Sequence, residues 1–150
     1  MIPGLERGDR PGVVSLTMRR VLVVDDALPV RRTLMEILHR VGGVSGAQVQ
    51  IAQRPDEALE LFAKHHPSLV FAELVGAHPG EGLEMVGEML RLDPKVRVVL
   101  VTAEDPSSAL VRQAVRMGVF AVVPKPLRHE RFRQVFSEIE AEEGGIERFR

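Results

Sequence analysis

The sequence contains no cysteine, no tryptophan and no tyrosine, and only three of its 20 basic residues are lysines. Without cysteine, the chain has no disulfide, no thiolate metal site and no cysteine nucleophile. Without tryptophan and tyrosine, it lacks the aromatic side chains best suited to stack on nucleic-acid bases. The three lysines are Lys64, Lys95 and Lys125, and their small number makes the position of each one informative.

The charges nearly cancel, with 20 basic and 21 acidic residues in a chain of 150. This balance argues against binding to nucleic acid through a strongly basic surface. The first 18 residues have no apolar core of signal-peptide type, and no apolar run approaches the roughly 20 residues that cross a bilayer. We therefore expect a cytoplasmic protein with neither a nucleic-acid nor a membrane partner.

Short apolar runs alternate with longer amphipathic segments from Arg20 onward. The apolar runs predict five strands, at 21–24, 49–52, 69–72, 96–101 and 119–123. Apolar residues at helical spacing predict five helices between and after them. We expect Asp105 and Pro106 to be the cap and first residue of the fourth helix. This alternation indicates a doubly wound α/β fold, with a parallel sheet and helices on both faces.

Polar side chains stand where the predicted strands end. Asp25 and Asp26 follow the first strand, Glu73 the third, Thr102 the fourth and Lys125 the fifth. In an open parallel sheet, ligands bind beyond the carboxyl ends of the strands. Carboxylates are the ligands that Mg²⁺ takes in proteins, and a lysine or a hydroxyl can contact phosphoryl oxygens. The residue types therefore fit a Mg²⁺ or phosphoryl-transfer site.

At this point the chain resembles the receiver domains of two-component response regulators. The resemblance covers roughly residues 19–141, and its strongest carriers are the VLVVDD run, Thr102-Ala103 and Lys125-Pro126. It implies a flavodoxin-like five-stranded sheet of order 2-1-3-4-5. It also implies that the acidic pair helps to hold Mg²⁺, that the residue ending the third strand takes a phosphoryl group from a histidine kinase, and that the threonine and lysine contact that group.

The domain boundaries follow from the extent of the resemblance. We expect a flexible N-terminal extension over 1–18, a receiver-like domain over 19–141 and a tail over 142–150. Met18 stands directly before the first strand, so the sequence leaves open whether residues 1–17 belong to the native protein.

The sequence departs from the receiver pattern at the phospho-accepting position, where Glu73 stands in place of aspartate. Glutamate carries the same charge on a side chain longer by one methylene, about 1.5 Å. The extra reach moves the carboxylate out of line and toward the space of the phosphoryl group, where it can pair with Lys125. A second departure is Val122, at the position that in the family commonly holds a switching tyrosine or phenylalanine.

The leading interpretation is an atypical, phosphorylation-independent receiver that is not an enzyme and acts by binding a protein. Its expected partners are a histidine kinase or a downstream signalling protein, or a second copy of the chain bound through helix four, strand five and helix five. The residues expected on that face are Val111, Val115, Phe120, Val122 and Arg128. Mg²⁺ binding stays open. The alternatives are a working receiver that tolerates Glu73 or uses Asp26, and a flavodoxin-like enzyme or nucleotide binder.

Overall fold

The structure, a computed structural model, describes residues 16, 19–74 and 79–148. Five strands and five α-helices alternate along it, with a short 3-10 helix at Gly46–Gln48 before the second strand. They are β1 (Val21–Val24), α1 (Leu28–Arg40), β2 (Val49–Ala52), α2 (Pro55–His65), β3 (Leu69–Ala72), α3 (Pro79–Leu92), β4 (Arg97–Thr102), α4 (Ala109–Met117), β5 (Ala121–Pro124) and α5 (His129–Arg148). Among the described residues, no helix is long and apolar enough to cross a membrane.

The strands form one parallel sheet in the order β2-β1-β3-β4-β5, which confirms the predicted flavodoxin-like fold. Successive side chains of a strand point to opposite faces, and both faces are apolar here. In β1, Val21 and Val23 pack on the face that carries α1 and α5. Leu22 and Val24 pack on the face covered by α2, α3 and α4. Covering both faces explains why β1 and β3 are continuous apolar runs rather than alternating ones.

An aromatic cluster fixes α5 against the sheet. Phe71 of β3 lies with its ring centre 6.2 Å from that of Phe132 and 6.1 Å from that of Phe136. The two rings of α5 are 5.9 Å apart. All three side chains are fully buried, so the cluster holds α5 through shape and apolar burial.

The start of α4 was predicted wrongly. Helix α4 begins at Ala109, with Ser108 as its cap, rather than after Asp105. The Ser108 hydroxyl accepts the Val111 N–H at 3.3 Å, while the Asp105 carboxylate accepts the Ser107 N–H at 2.8 Å in the preceding turn. Both residues therefore have N-cap chemistry, and the one nearer the helix caps it.

Two observations concern the ends of the predicted receiver-like domain. Leu16, placed in the N-terminal extension, is a core residue with 1% of its surface exposed. The rest of that extension before Arg19 lies outside the described residues. At the other end, α5 continues to Arg148 through most of the predicted tail, whose three glutamates are good helix formers, although the tail also contains Gly144-Gly145. Strands β4 and β5 begin one and two residues later than predicted.

Candidate functional site

The sheet brings the predicted strand-end residues to one edge, through backbone hydrogen bonds that continue each ladder by one residue. The Asp25 N–H donates to the Ala52 carbonyl at 3.1 Å, and the Glu73 N–H donates to the Val24 carbonyl at 3.1 Å. On the far side, the Lys125 N–H donates to the Thr102 carbonyl at 3.0 Å. The backbone thus fixes the ends of four neighbouring strands, β1, β3, β4 and β5, as the sequence predicted. The residues at these ends are Asp25, Glu73, Thr102 and Lys125.

The centre of the site is an ion pair between Lys125 and Glu73. Lys125 Nζ lies 2.8 Å from Glu73 Oε2 and 3.5 Å from Asp25 Oδ2. The side chains of Glu73 and Asp25 are only 7% and 2% exposed, and that of Lys125 is 23% exposed. Ionised carboxylates are costly to bury unless they are paired. Lys125 therefore supplies the positive charge that lets both carboxylates stay in this edge of the sheet.

The pKa of Lys125 reflects these partners. Partial burial acts to lower the pKa of the ammonium group, but the hydrogen bond and charge of Glu73, together with Asp25, outweigh it and raise the pKa above its ordinary value of 10.5. Lys125 is consequently protonated throughout the physiological pH range and carries the positive charge that faces both carboxylates.

The two aspartates differ sharply in surroundings. Asp25 is buried, and its second oxygen, Oδ1, accepts the Ala27 N–H at 2.8 Å. Its backbone carbonyl accepts a hydrogen bond of 2.9 Å from the guanidinium of Arg31. Asp26 is exposed to solvent at the mouth of the site. The acidic pair therefore divides into one residue fixed within the site and one residue at its surface.

Thr102 is buried and is held by the loop that follows it. Its hydroxyl oxygen accepts the Glu104 N–H at 3.0 Å. Among the contacts described for this edge of the sheet, the hydroxyl makes none to Lys125 or Glu73. The threonine thus belongs to the edge as predicted, but its side chain supports the β4–α4 loop rather than the ion pair.

The described buried carboxylates at this edge of the sheet are paired with a lysine and are not grouped around a cation position. Mg²⁺ needs near-octahedral oxygen ligands and commonly takes one or two carboxylates. Here the buried carboxylates of Glu73 and Asp25 face the ammonium of Lys125. Within residues 19–74 and 79–148, no group of three acidic, histidine or cysteine side chains is placed to hold a metal ion. The oxygen ligands are of the type that Mg²⁺ takes, but in this arrangement the two buried carboxylates pair with the ammonium of Lys125.

Two supports of the site were missed by sequence reasoning. Arg31 holds the Asp25 carbonyl from six residues along the chain. Gly82 lets α3 approach the residue after Glu73 closely, because a Cβ there would lie 2.6 Å from the Leu74 carbonyl oxygen. Neither contact has a local sequence signature, although a glycine in the first turn of a helix is a hint of close backbone approach.

The predicted partner face is only partly exposed. Val115 of α4 is 52% exposed, and Arg128 is exposed, but Val111 is 2% exposed, so its placement on the surface was wrong. Val111 and Val115 are four residues apart on α4, and such residues share a side of a helix only approximately. The amphipathic α4 turns Val111 toward the core. Phe120 and Val122 are partly buried.

Two arginines cover these partly buried residues. The guanidinium of Arg97 lies 5.6 Å from the centre of the Phe120 ring, a cation–π distance. The guanidinium of Arg131 donates a hydrogen bond to the Val122 carbonyl at 3.1 Å. Val122 therefore stands on β5 with its backbone tied to α5.

Comparison with known proteins identifies this arrangement. The family model described as response regulator receiver domain matches residues 21–137. The chain belongs to the response regulator receiver family. It is a receiver domain of the two-component signalling type, and receiver domains typically bind Mg²⁺ at an acidic pocket and interact with kinases and other signalling proteins.

Individual relatives agree with this receiver assignment. A response regulator receiver protein of Anaeromyxobacter sp. is 36% identical over 110 residues, which are 73% of this chain and 44% of that protein. The chain therefore spans less than half the length of that relative. A chemotaxis protein CheY of Thermotoga maritima is 24% identical over 121 residues, covering 81% of this chain and 97% of that protein.

A solved structure supports the same fold. The receiver domain of NtrX from Brucella abortus superposes with a TM-score of 0.67 at 25% identity, covering 79% of this chain and 95% of that domain.

Proposed function

We propose that this receiver signals without being phosphorylated, with Glu73 at the position where the family's phospho-accepting aspartate stands. The observation that carries the proposal is the 2.8 Å ion pair between Glu73 and Lys125. In the family, this lysine contacts the phosphoryl group. Here the Glu73 carboxylate already holds the Lys125 ammonium, so the lysine has a negative partner without a phosphoryl donor.

The length of the glutamate side chain supports the same proposal. Aspartate would place its carboxylate about 1.5 Å nearer the backbone of β3. The longer Glu73 brings its carboxylate to the lysine at the cost of the in-line position that phosphoryl transfer needs. A misplacement of about 1 Å can lower the rate of a reaction about 100-fold. Under this proposal, the protein is not an enzyme and its signalling does not depend on Mg²⁺.

Signalling in this proposal occurs through a protein partner in the cytoplasm, either a kinase or downstream component, or a second copy of the chain. The contact surface is the α4–β5–α5 face, on which Val115, Phe120, Val122 and Arg128 lie. Val115 supports this placement because an exposed apolar residue on an amphipathic helix can be covered by a partner. The near-balance of acidic and basic residues argues against nucleic acid as the partner.

Self-association through this face can be measured directly. We expect the association constant of the wild type, from sedimentation velocity over a range of concentrations, to be unchanged by a small-molecule phosphodonor with Mg²⁺. We expect Val115→Asp to weaken any self-association about tenfold or more, because burying a charge at an apolar contact costs over 1 kcal/mol. Leu92→Asp on α3, a residue 51% exposed, is the matched control and should change nothing. Association that increases with the phosphodonor would contradict the proposal.

A second candidate is a working phospho-accepting receiver that uses Mg²⁺ and a histidine kinase. It is favoured by one observation, the exposure of the Asp26 carboxylate at the mouth of the site. That carboxylate is open to a donor and to a cation. This candidate predicts saturable binding of fluoroberyllate in the presence of Mg²⁺, which the leading proposal does not.

A further inference from the structure

The exposed side of α4 carries an apolar residue beside two positive charges. Val115 is 52% exposed, and Arg112 and Arg116 are exposed on the same stretch of helix. Residues four apart lie on one side of a helix, about 6 Å apart along its axis, so the two arginines extend from the same side of α4. The helix contains no acidic residue, and neither arginine has an ion-pair partner in the part of the chain that the structure describes. Among the described residues, this side of α4 is therefore uncovered and positively charged.

A groove of the opposite charge lies between α2 and α3. Its volume is about 890 Å³, and its lining includes the apolar Leu59, Leu74 and Met85 and the acidic Asp26, Asp56, Glu81 and Glu88. Arg54 is the one basic residue among the described lining, and its Nε lies 3.2 Å from Asp56 Oδ1. Asp26 and Glu81 are exposed and have no ion-pair partner among residues 19–74 and 79–148. This α2–α3 groove therefore combines apolar surface with negative charge that is only partly neutralised.

The exposed side of α4 and the α2–α3 groove complement each other in charge and in apolar content. Guanidinium groups donate paired hydrogen bonds to carboxylates, and their carbon chains cover apolar surface. Val115 can at the same time pack on the apolar lining of the groove, where Leu59 is only partly buried. Complementary charges of this kind determine which surfaces meet and in which register.

The α4 of the same chain cannot fill this groove. Helices α2, α3 and α4 pack side by side on one face of the sheet, with α3 between the other two. The side chains of Val111 and Ala114, which are 2% and 0% exposed, anchor α4 in that place. An α4 that enters the groove must therefore come from a second copy of the chain, and every copy carries both surfaces.

We infer that α4 of one copy docks in the α2–α3 groove of a second copy. The contact joins two unlike surfaces, in which Arg112 and Arg116 approach the carboxylates and Val115 is covered by the apolar lining. The inference rests on the proposed function in one respect, the use of α4 as a contact helix, and it adds the surface that α4 meets. Leu92 is not among the described residues that line the groove, so Leu92→Asp remains a valid control for self-association.

A charge swap between the two surfaces tests this contact. Arg112→Glu and Glu81→Arg, each in the full chain, place like charges across it. We expect each variant to lower the association constant at least about tenfold in sedimentation velocity at low salt. In an equimolar mixture of the two variants, the altered positions face each other with opposite charges, and we expect association within about threefold of the wild type. Association of the wild type should weaken as the salt concentration rises from about 50 to 500 mM, because exposed charges are screened.

The matched controls reverse charges on α1, which lies on the other face of the sheet. Arg32→Glu and Glu36→Arg change exposed residues there and should associate as the wild type does, both separately and mixed. If circular dichroism shows that a variant of the swap does not fold, Arg116→Glu or Asp56→Arg on the same surface takes its place.

Two results would overturn the inference. One is a wild type that stays monomeric at every concentration, which leaves the proposed function with a different protein as its partner. The other is a mixture that associates as weakly as the separate variants, or a wild-type association that salt does not weaken, while Val115→Asp still weakens it. In that case α4 contacts a different surface and the proposed function stands. Association that a phosphodonor strengthens contradicts the proposed function instead and leaves this contact in place.

Discussion

Glu73→Asp is expected to make the protein accept a phosphoryl group. Shortening the side chain withdraws the carboxylate by about 1.5 Å from the ammonium of Lys125 and returns it toward the position used by the family. The aspartate oxygen can then attack phosphorus while the donor's leaving group departs. We expect the rate of phosphorylation by a small-molecule donor with Mg²⁺ to rise at least about 100-fold over the wild type, measured by intact mass.

Two variants control this experiment. Glu73→Gln removes the charge and the nucleophile together and should stay unmodified. Glu84→Asp makes the same change at an exposed position of α3 and should behave as the wild type. If Glu73→Asp acquires no phosphoryl group while remaining folded, the length of Glu73 is not what prevents the reaction, and the explanation would have to lie with the geometry of Asp25 and Asp26.

Lys125→Met is expected to destabilise the fold more than any other change at the site. It leaves the carboxylates of Glu73 and Asp25, 7% and 2% exposed, without their positive partner. Breaking a buried ion pair on one side costs about 3–5 kcal/mol, and we expect about 3 kcal/mol because Lys125 itself is 23% exposed. The free energy of unfolding from urea denaturation measures this loss. The control is Lys95→Met, at an exposed lysine, with an expected change within about 0.5 kcal/mol.

The stability difference between wild type and Lys125→Met should depend on pH, because it arises from the charge of the Lys125 ammonium. The pKa of Lys125 is raised above 10.5 in the folded state, because Glu73 and Asp25 outweigh the effect of burial. A raised pKa of this kind contributes stability that is fully present below 10.5 and is lost as the pH rises through the folded-state value. The difference in unfolding free energy between wild type and Lys125→Met should therefore hold constant from pH 7 to about 10 and shrink above it. A difference that persists undiminished to pH 12 would show that lysine packing, rather than its charge, stabilises the site.

The architecture and the membership of the strand-end site were predictable from the sequence for a physical reason. A parallel sheet places the carboxyl ends of its strands at one edge, so knowing that Glu73 and Lys125 each follow an apolar run was enough to bring them together. The ion pair between them was expected from their charges and confirmed by the 2.8 Å distance.

What could not be predicted depends on contacts between residues that are distant in sequence or on competing local bonds. Arg31 holds the Asp25 carbonyl through a side-chain conformation that no residue pattern specifies. Asp105 and Ser108 both have cap chemistry, and only the geometry of the turn decides between them. Leu16 precedes the recognisable pattern, and its burial depends on Gly42 and Phe136, which lie far along the chain.

The most direct test of phosphorylation independence is the intact mass of the wild-type protein after incubation with a small-molecule phosphodonor and Mg²⁺, with Glu73→Asp treated in parallel. We predict that the wild type keeps its unmodified mass under conditions in which Glu73→Asp gains one phosphoryl group. A stoichiometric adduct on the wild type, stable to acid and labile to base and located on Glu73 or Asp26, would contradict the account.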